Sequence, residues 1–322
     1  MDFKINDQPF IYREFLMYMQ SIKGKSVNTV KEYALDLHVF FQFMKNYKQS
    51  GTAPDDLTET DISDLNYSFA DSISLVDLYA YLTYMAESRG NTAATRARKV
   101  ACLRSYFKYM SSKAGYIKDN PAKELDSPKL KQALPKYLNL DESKELLSSV
   151  DGKNKYRDYA ILTLFLNCGL RLSELVNINL NDFKDDILIV TGKGNKERVI
   201  YLNDACLAAV RNYLRVRPND GVIDKKALFL SNRGTRISNK TVQWLVKKYI
   251  KTAGLDESKY SVHKLRHTAA TLMYKYAHTD LRTLQEILGH NQLATTQIYT
   301  HIDDEQRRNA VKNNPLSDIT ED

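Results

Sequence analysis

Apolar residues recur at intervals of three and four through the first 110 residues, a spacing that places them on one face of an α-helix. The pattern predicts four helices, over residues 8–22, 28–47, 74–87 and 92–110. Ser26 and Thr92 lie where the second and fourth helices would begin, and hydroxyl side chains commonly cap helix N-termini. These four helices predict a small helical bundle.

The third and fourth helices carry aromatic residues. On the fourth, Tyr106 and Tyr109 stand among basic residues, where they could pack in a core or stack on nucleotide bases. Their spacing matches that of the apolar positions, which favours packing. The third helix is expected to contribute to the core Val76, Leu78, Tyr79, Leu82 and Met85.

The pattern changes after residues 121–138, a polar, basic stretch whose prolines interrupt any helix and which we interpret as a linker. Beyond it, two β-rich runs at residues 187–190 and 199–202 flank a polar loop with two glycines, which predicts a hairpin. Strands and helices do not alternate, which argues against a doubly wound sheet. Helical patterns surround the hairpin at about residues 156–168, 172–176, 204–216, 238–253, 262–277, 280–288 and 293–301.

The sequence therefore predicts a mainly α fold in two domains. Residues 1–120 would form the four-helix bundle, and residues 139–302 an α-rich domain with a small antiparallel sheet or hairpin. Residues 303–322 would form a short, mostly polar helix and a tail. Such a helix is marginal alone in water, so we expect it to need a partner surface.

Composition agrees with two domains, since 322 residues with 43% hydrophobic content exceed what one core usually fills. There is no apolar run of roughly 18 residues and no signal-peptide pattern, so we expect a cytoplasmic protein without a membrane span. Cys102, Cys168 and Cys206 are odd in number and far apart, which argues against both a disulfide framework and a structural zinc site.

The net charge of +8 indicates a polyanionic partner, and its distribution is uneven. Residues 1–125 hold 16 basic and 15 acidic residues, whereas residues 126–322 hold 31 and 24. Within the first half, residues 50–84 hold seven acids and no Lys or Arg, whereas residues 85–123 hold nine bases. The two stretches could simply attract each other, or the basic helix could follow a phosphate backbone. The candidate DNA contacts on that helix are Arg96, Arg98, Lys99 and Arg104.

Two segments resemble motifs of other chemistry, but each lacks a residue that its motif requires. The loop around Lys193 lacks the preceding glycine and the following Ser or Thr of a P-loop. His263 and His267 have the i, i+4 spacing of a zinc-binding helix, but Lys264 stands where a metalloprotease needs its glutamate. We therefore expect no metal and interpret His267 as a partly buried polar residue.

The remaining chemistry-bearing residues are scattered groups that could each bind phosphate. His263 and Arg266 share one helix face, and Arg171 follows the helix-ending Gly169. Taken singly, each has a simpler explanation: Arg171 could cap a helix, Lys193 could be a solvated loop charge, and one Tyr among 21 means nothing.

Their order and local context, however, resemble the tyrosine recombinase (phage integrase-like) family along nearly the whole chain. The matching segments are GLRLSEL, GKGNKER, HKLRH, LGH and TQIYTH. The segment SVNTVKEYALD and residues 92–109 are similar to helix starts of the family's DNA-clamping, SAM-like bundle. The length of the chain and the sequences of its motifs are most similar to those of the short bacterial Xer recombinases, which resolve chromosome dimers. All six family catalytic positions are filled, by Arg171, Lys193, His263, Arg266, His290 and Tyr299.

The resemblance implies a role for each of these residues. Tyr299 would attack phosphorus and form a 3′-phosphotyrosine, and it needs help because a phenol of pKa near 10 is only about 0.1% ionised at pH 7. His263 would act as general base or hydrogen-bonding group, and Lys193 would protonate the leaving 5′-oxygen. Arg171, Arg266 and His290 would bind the phosphate, and Glu174 would orient its neighbours. Lys196 and Lys264 are further candidate DNA contacts. Neither a cofactor nor a metal is expected.

The resemblance also implies partners. The enzyme would act on double-stranded DNA as a homo- or hetero-tetramer across two sites, exchanging strands through a Holliday junction, with the C-terminal helix docked in trans. It would be nucleoid-associated and could work with a cell-division DNA translocase or a mobile-element accessory factor. The alternative within the class is an integrase or resolvase of a mobile element. A type IB topoisomerase shares the chemistry, and a catalytically silent DNA-binding protein is the rival from another class.

Overall fold

The computed structural model describes residues 3–54, 56–57, 60–129, 136–192, 197–277 and 279–289. The chain divides into two compact units, residues 1–132 and 133–322. The division falls inside the stretch that the sequence marks as a linker. Ala122 and Leu125 pack into the core of the first unit, whereas Leu138 packs into the core of the second.

The first unit is helical, and the four helices expected from the sequence are confirmed. A fifth, short helix lies between the second and third expected helices, because Asn66 caps a single turn that carries no periodic apolar pattern. The helices in this unit are α1 (Phe10–Ser21), α2 (Val27–Ser50), α3 (Tyr67–Asp71), α4 (Leu75–Glu87) and α5 (Ala93–Ser112).

The helix starts follow the capping chemistry of the sequence. The Ser26 hydroxyl accepts a hydrogen bond from the Thr29 backbone N at 3.3 Å, and the Thr92 hydroxyl accepts from the Thr95 backbone N at 3.2 Å. Each bond satisfies one of the backbone donors that a helix leaves without a partner at its first turn. The predicted starts of α2 and α5 are therefore confirmed.

The buried face of α4 differs from the one expected. Val76 and Tyr79 are 70% and 44% exposed, so the prediction that they belong to the core is wrong. Tyr81 and Tyr84 are buried instead, and the Tyr81 ring packs edge-on against Phe40 with centroids 5.1 Å apart. Tyrosine can occupy a core because its large ring contributes more apolar contact than valine does.

The prediction that Tyr106 packs in the core is confirmed. Its ring is fully buried among aromatic residues, including Phe15 and Phe41, and its hydroxyl donates to the Ile11 carbonyl at 2.8 Å. Tyr109 is partly buried against the same core.

The second unit is α-rich and holds a small sheet, as expected. One of its helices, α6, lacked a clear pattern in the sequence but begins with a capping box between Asn139 and Glu142. The most buried of its helices is α7, which packs against α9 and α11. The helices of this unit are α6 (Leu140–Ser148), α7 (Lys155–Cys168), α8 (Leu172–Asn177), α9 (Asp204–Val216), α10 (Asn239–Thr252), α11 (Val262–Tyr276) and α12 (Leu281–Leu288).

The sheet has three antiparallel strands in the order β1 (Phe183–Lys184), β2 (Ile187–Thr191) and β3 (Glu197–Tyr201). The β2–β3 pair confirms the expected hairpin, with Val190 opposite Arg198. β1 was not predicted, since two residues are too few to show an alternating pattern. The helix expected at residues 293–301 lies outside the described residues.

The three cysteines are buried and free, with the Sγ atoms of Cys168 and Cys206 3.7 Å apart. In the described part of the chain, no helix is both long and apolar enough to cross a lipid bilayer.

Candidate active site

The site is built around the end of α7. Gly169 closes this helix in the left-handed conformation (φ 59°), and Arg171 then stands at the N-cap of α8. A Cβ on Gly169 would lie 2.8 Å from a Leu288 methyl group, so both the backbone conformation and the close packing of α12 favour glycine here.

Glu174 lies beneath Arg171 and organises the charges around it. Its side chain is 0% exposed, and it binds the Nη1 of Arg171 at 2.7 Å and the Nη2 of Arg198 at 2.8 Å. It also accepts from the backbone N of Arg171 at 2.8 Å, which closes a capping box at the start of α8.

The carboxyl of Glu174 is held in its ionised form. Burial alone raises the pKa of Glu174, but the hydrogen bond and positive charge of Arg198, and then the bonds from Arg171, lower it by more. The pKa of Glu174 therefore lies below its usual value. Removing either arginine would leave a buried carboxylate with less compensation, which is unfavourable.

The C-terminal end of α12 is bound by three arginines, one for each of three consecutive carbonyl groups. Arg198 donates to the Ile287 carbonyl, Arg266 to the Leu288 carbonyl and Arg171 to the Gly289 carbonyl. Carbonyl groups at a helix C-terminus lack partners within the helix and carry partial negative charge, so guanidinium groups are well suited to them.

Arg266 is itself buried, at 4% exposure, and bridges two helix ends. One Nη donates to the Gly169 carbonyl at the end of α7, and the other to the Leu288 carbonyl at the end of α12. The guanidinium plane is thereby fixed by two backbone contacts. A cation held in this way can stabilise charge on a bound anion without first reorganising.

His263 lies one turn before Arg266 on α11 and is exposed to solvent. Desolvation by the protein around its ring lowers the pKa of His263 below the usual histidine value. The positive charges of Arg266, Lys264 and Arg171 lower that pKa further. The lowered pKa favours the neutral imidazole, the form that can accept a proton.

His263, Arg171 and Arg266 border one cleft of about 780 Å³. Asn239, Gln243 and Lys247 of α10 form a polar wall of the same cleft. Among the described residues that line this cleft, none is acidic, and three carry a positive charge. The arrangement is suited to bind a phosphodiester and to stabilise further negative charge on it.

The wall formed by α10 was missed by the sequence reasoning. Its residues are spaced i, i+4, i+8, so they share one helix face. Val242 and Leu245 lie on the buried side of the same helix. This polar stripe is visible in the sequence, but the sequence does not indicate that it lines the same cleft as Arg171.

The site residues predicted from the sequence fall into two groups. Arg171, His263 and Arg266 line one cleft, Glu174 is bound to Arg171, and Lys264 is partly exposed on α11. Lys193, Lys196, His290 and Tyr299 lie outside the described residues, so their place in the site stays a prediction.

The bases predicted to contact DNA from α5 have different surroundings. Lys99 is only 7% exposed and binds Asp36 of α2 at 2.9 Å, and Arg98 donates to the same carboxylate at 3.0 Å. Arg96 donates to the Asn91 carbonyl at 2.7 Å, whereas Arg104 is exposed. Contact with DNA by these four stays a prediction.

The acidic stretch pairs with α2. Asp64 binds Lys45 and Asp77 binds Lys48, each at 2.6 Å. These lysines precede the acidic stretch and do not belong to the basic one. The attraction of the acidic stretch for positive charge is thus met in part by α2.

His263 and His267 stack edge to face with ring centroids 4.6 Å apart. Throughout the described part of the chain, no three His, Cys, Asp or Glu side chains come together in a group that could hold a metal ion.

Comparison with known proteins identifies the family of the chain. Residues 136–306 match the Phage integrase family. The chain is 59% identical over 311 residues to the tyrosine recombinase XerC of Caldanaerobacter subterraneus subsp. tengcongensis, covering 96% of this chain and 88% of that one. It is 35% identical over 303 residues to the tyrosine recombinase XerD of Proteus mirabilis, covering 92% and 90%.

A solved structure supports the fold. A XerH site-specific recombinase bound to palindromic difH substrate, in a post-cleavage complex, aligns with a TM-score of 0.71 and 23% identity, covering 96% of this chain and 90% of that one. The resemblance seen in the sequence motifs is confirmed by these matches. The chain therefore belongs to the phage integrase family and is a site-specific tyrosine recombinase of the Xer type.

Proposed function

We propose that this recombinase exchanges DNA strands at one chromosomal site and thereby resolves chromosome dimers. The observation that carries the proposal is the cleft lined by Arg171, Arg266 and His263 together with polar residues of α10, which is suited to bind a phosphodiester. The Xer names of its relatives support the chromosomal role.

In the proposed reaction the Tyr299 oxygen attacks the scissile phosphorus. A bond from this oxygen to phosphorus forms as the bond from phosphorus to the 5′-oxygen breaks, and a 3′-phosphotyrosine results. His263 takes the phenol proton or hydrogen-bonds the phosphate, and Lys193 gives a proton to the departing 5′-oxygen. His290 hydrogen-bonds the phosphate. Attack by a different 5′-hydroxyl on the phosphotyrosine releases Tyr299 and completes strand exchange. No ATP is consumed, because each step exchanges one phosphoester bond for another.

Different groups hold the guanidinium groups of the two cleft arginines in place. Arg171 uses two of its five N–H donors on Glu174 and Gly289, so its remaining donors suffice for a two-point grip on phosphate oxygens. Arg266 is fixed by the ends of α7 and α12. Both supports are backbone or buried groups, which favours a preorganised site.

The decisive experiment is to trap covalent complexes on genomic DNA of the source organism and sequence the attached ends. We expect one chromosomal site, with the DNA joined through Tyr299. Attachment at the ends of a mobile element would favour the integrase or resolvase alternative, and relaxation of a plasmid without a preferred site would favour a topoisomerase. The absence of any covalent complex would contradict the recombinase mechanism.

We further propose a function for each part of the chain. Residues 1–120 bind DNA through Arg96, Arg98, Lys99 and Arg104, residues 121–138 connect the domains, and residues 139–302 carry catalysis with Lys196 and Lys264 as further DNA contacts. The enzyme acts in the cytoplasm on nucleoid DNA, as a homo- or hetero-tetramer across two sites. A cell-division DNA translocase, or an accessory factor in the mobile-element case, is the proposed partner.

The tail, residues 303–322, is proposed to dock on a neighbouring protomer. Truncation after His301 should leave binding to a half-site nearly unchanged but weaken cooperative binding to a full site roughly 100-fold, because the second protomer loses its tether. Gel-shift titration of half and full sites measures both effects, with a recombination assay on the same preparation.

Truncation after Asn314 is the matched control, since it removes only the end of the tail and should preserve cooperativity. Full cooperativity and recombination after truncation at His301 would contradict docking in trans.

A further inference from the structure

Arg198 is a charged residue at an inward-facing position of β3. Its neighbours Val199 and Tyr201 are exposed, whereas Ile200 is buried and the Arg198 side chain is 13% exposed. A strand position of this kind normally holds an apolar residue, because burying a charge is costly unless it is paired. The buried guanidinium of Arg198 therefore requires partners that compensate its charge.

The partners of Arg198 lie on two other elements. Its guanidinium binds Glu174 of α8 through Nη2 at 2.8 Å and Nε at 3.4 Å, and its Nη1 donates to the Ile287 carbonyl of α12. One side chain thus joins the strand after the hairpin loop to the helix that follows Arg171 and to the helix that precedes His290. The loop itself contains Lys193.

The charges of this cluster do not cancel. Glu174 alone would neutralise Arg171, and a neutral pair would attract a phosphate weakly. With Arg198 also bound to Glu174, two positive charges face one negative charge. The buried carboxylate is balanced by Arg198, so the net positive charge is available at Arg171, whose side chain is 35% exposed.

The packing around Arg198 is equally specific. A Cβ on Gly289 would lie 2.8 Å from the Arg198 Cδ and 3.5 Å from the Arg171 Nη1. Gly289 also has φ of 63°, a conformation that other residues rarely adopt. The end of α12 therefore combines a backbone shape and a missing side chain that let both arginines approach.

We propose that Arg198 is a positioning residue for strand cleavage. It balances the charge of Glu174, so that a net positive charge remains at Arg171 for the scissile phosphate, and it fixes the strand that follows the Lys193 loop to the end of α12. Arg198 does not itself contact DNA in this role. The inference rests on the proposed function, because it assumes that Arg171 binds the scissile phosphate.

The test compares cleavage of two nicked suicide substrates, one with an ordinary scissile phosphodiester and one with a neutral methylphosphonate at that position. Arg198→Met should slow cleavage of the phosphodiester about 100-fold, the loss typical of one preorganised electrostatic group. On the methylphosphonate, which carries one charge less, the loss should fall below about tenfold, while half-site binding stays within about threefold.

A double variant separates charge balance from packing. In Glu174→Gln with Arg198→Met, no buried carboxylate remains to neutralise Arg171, so phosphodiester cleavage should be at least about tenfold faster than in Arg198→Met alone. Arg198→Lys retains the charge without the planar fork, and we expect it to lose less than about tenfold. If Arg198→Met fails to fold, Arg198→Lys can still be compared with the unaltered enzyme on the two substrates.

Arg236→Met is the matched control, since Arg236 likewise binds a carboxylate, Asp224, at 3.0 Å and two backbone carbonyls. We expect its cleavage losses to be equal on the two substrates. Equal losses for Arg198→Met on both substrates, or a lysine variant as slow as the methionine variant, would overturn the proposal. If the unaltered enzyme forms no covalent complex with either substrate, the proposed function fails instead.

Discussion

Tyr299→Phe is expected to abolish covalent attachment to DNA, with cleavage reduced below detection and half-site binding within about threefold of the unaltered enzyme. The change removes one hydroxyl and no charge, so the positive cleft formed by Arg171 and Arg266 keeps its attraction for phosphate. A denaturing gel of enzyme with a nicked suicide substrate measures attachment, and a gel shift measures binding.

Tyr276→Phe is a suitable control, because Tyr276 ends α11 and is exposed. It should form the covalent complex at the normal rate. A complex that persists in Tyr299→Phe would contradict the assignment of the nucleophile and direct attention to Tyr274 and Tyr276, the nearest alternatives in the sequence.

The sequence predicted most of the helices from the spacing of apolar residues, and it predicted the β2–β3 hairpin from two β-rich runs around a polar loop. α3 and β1 are too short to show any period, and they form because Asn66 caps the first and β2 pairs with the second. The error on α4 has another cause. Tyr79 and Tyr81 are the same residue type, and Tyr81 is the buried one because it packs against Phe40 and Phe43 of α2.

The residues of the site could likewise be predicted only in part from the sequence. Local motifs were sufficient to indicate Arg171, His263 and Arg266, since each stands in a distinctive segment. Arg198 also stands in such a segment, but its partners Glu174 and Ile287 are 24 and 89 residues away. In a basic loop region an arginine is expected to be solvated or to contact phosphate. Only the tertiary structure reveals that this one is bound to a buried carboxylate.

The arginine contacts also explain why the cleft is preorganised. Arg198, Arg266 and Arg171 occupy three successive carbonyls at the end of α12, so this helix end cannot shift without breaking charge-assisted bonds. Such bonds fix the positions of the cations before substrate binds. A site that is already oriented does not have to reorganise as charge develops on phosphorus.

Lys193→Ala is expected to slow cleavage of an ordinary phosphodiester by roughly 100- to 10,000-fold, the range for loss of a general acid. The reason is that the 5′-oxygen would have to leave as an alkoxide, a strongly basic group. A substrate with sulfur in the 5′-bridging position avoids this requirement, because a thiolate leaves without a proton. Single-turnover cleavage of the two substrates measures the rescue.

Arg171→Ala is the control for rescue by the sulfur-substituted substrate. Its defect lies in stabilising charge on the non-bridging oxygens, which the sulfur substitution leaves unchanged. Sulfur should therefore restore Lys193→Ala to within about tenfold of the unaltered enzyme on the same substrate and leave Arg171→Ala almost as slow as before. Equal rescue of both variants, or of neither, would remove the general-acid role from Lys193. Selective rescue would separate proton donation by Lys193 from charge stabilisation by Arg171, the residue that Glu174 and Gly289 hold at the cleft.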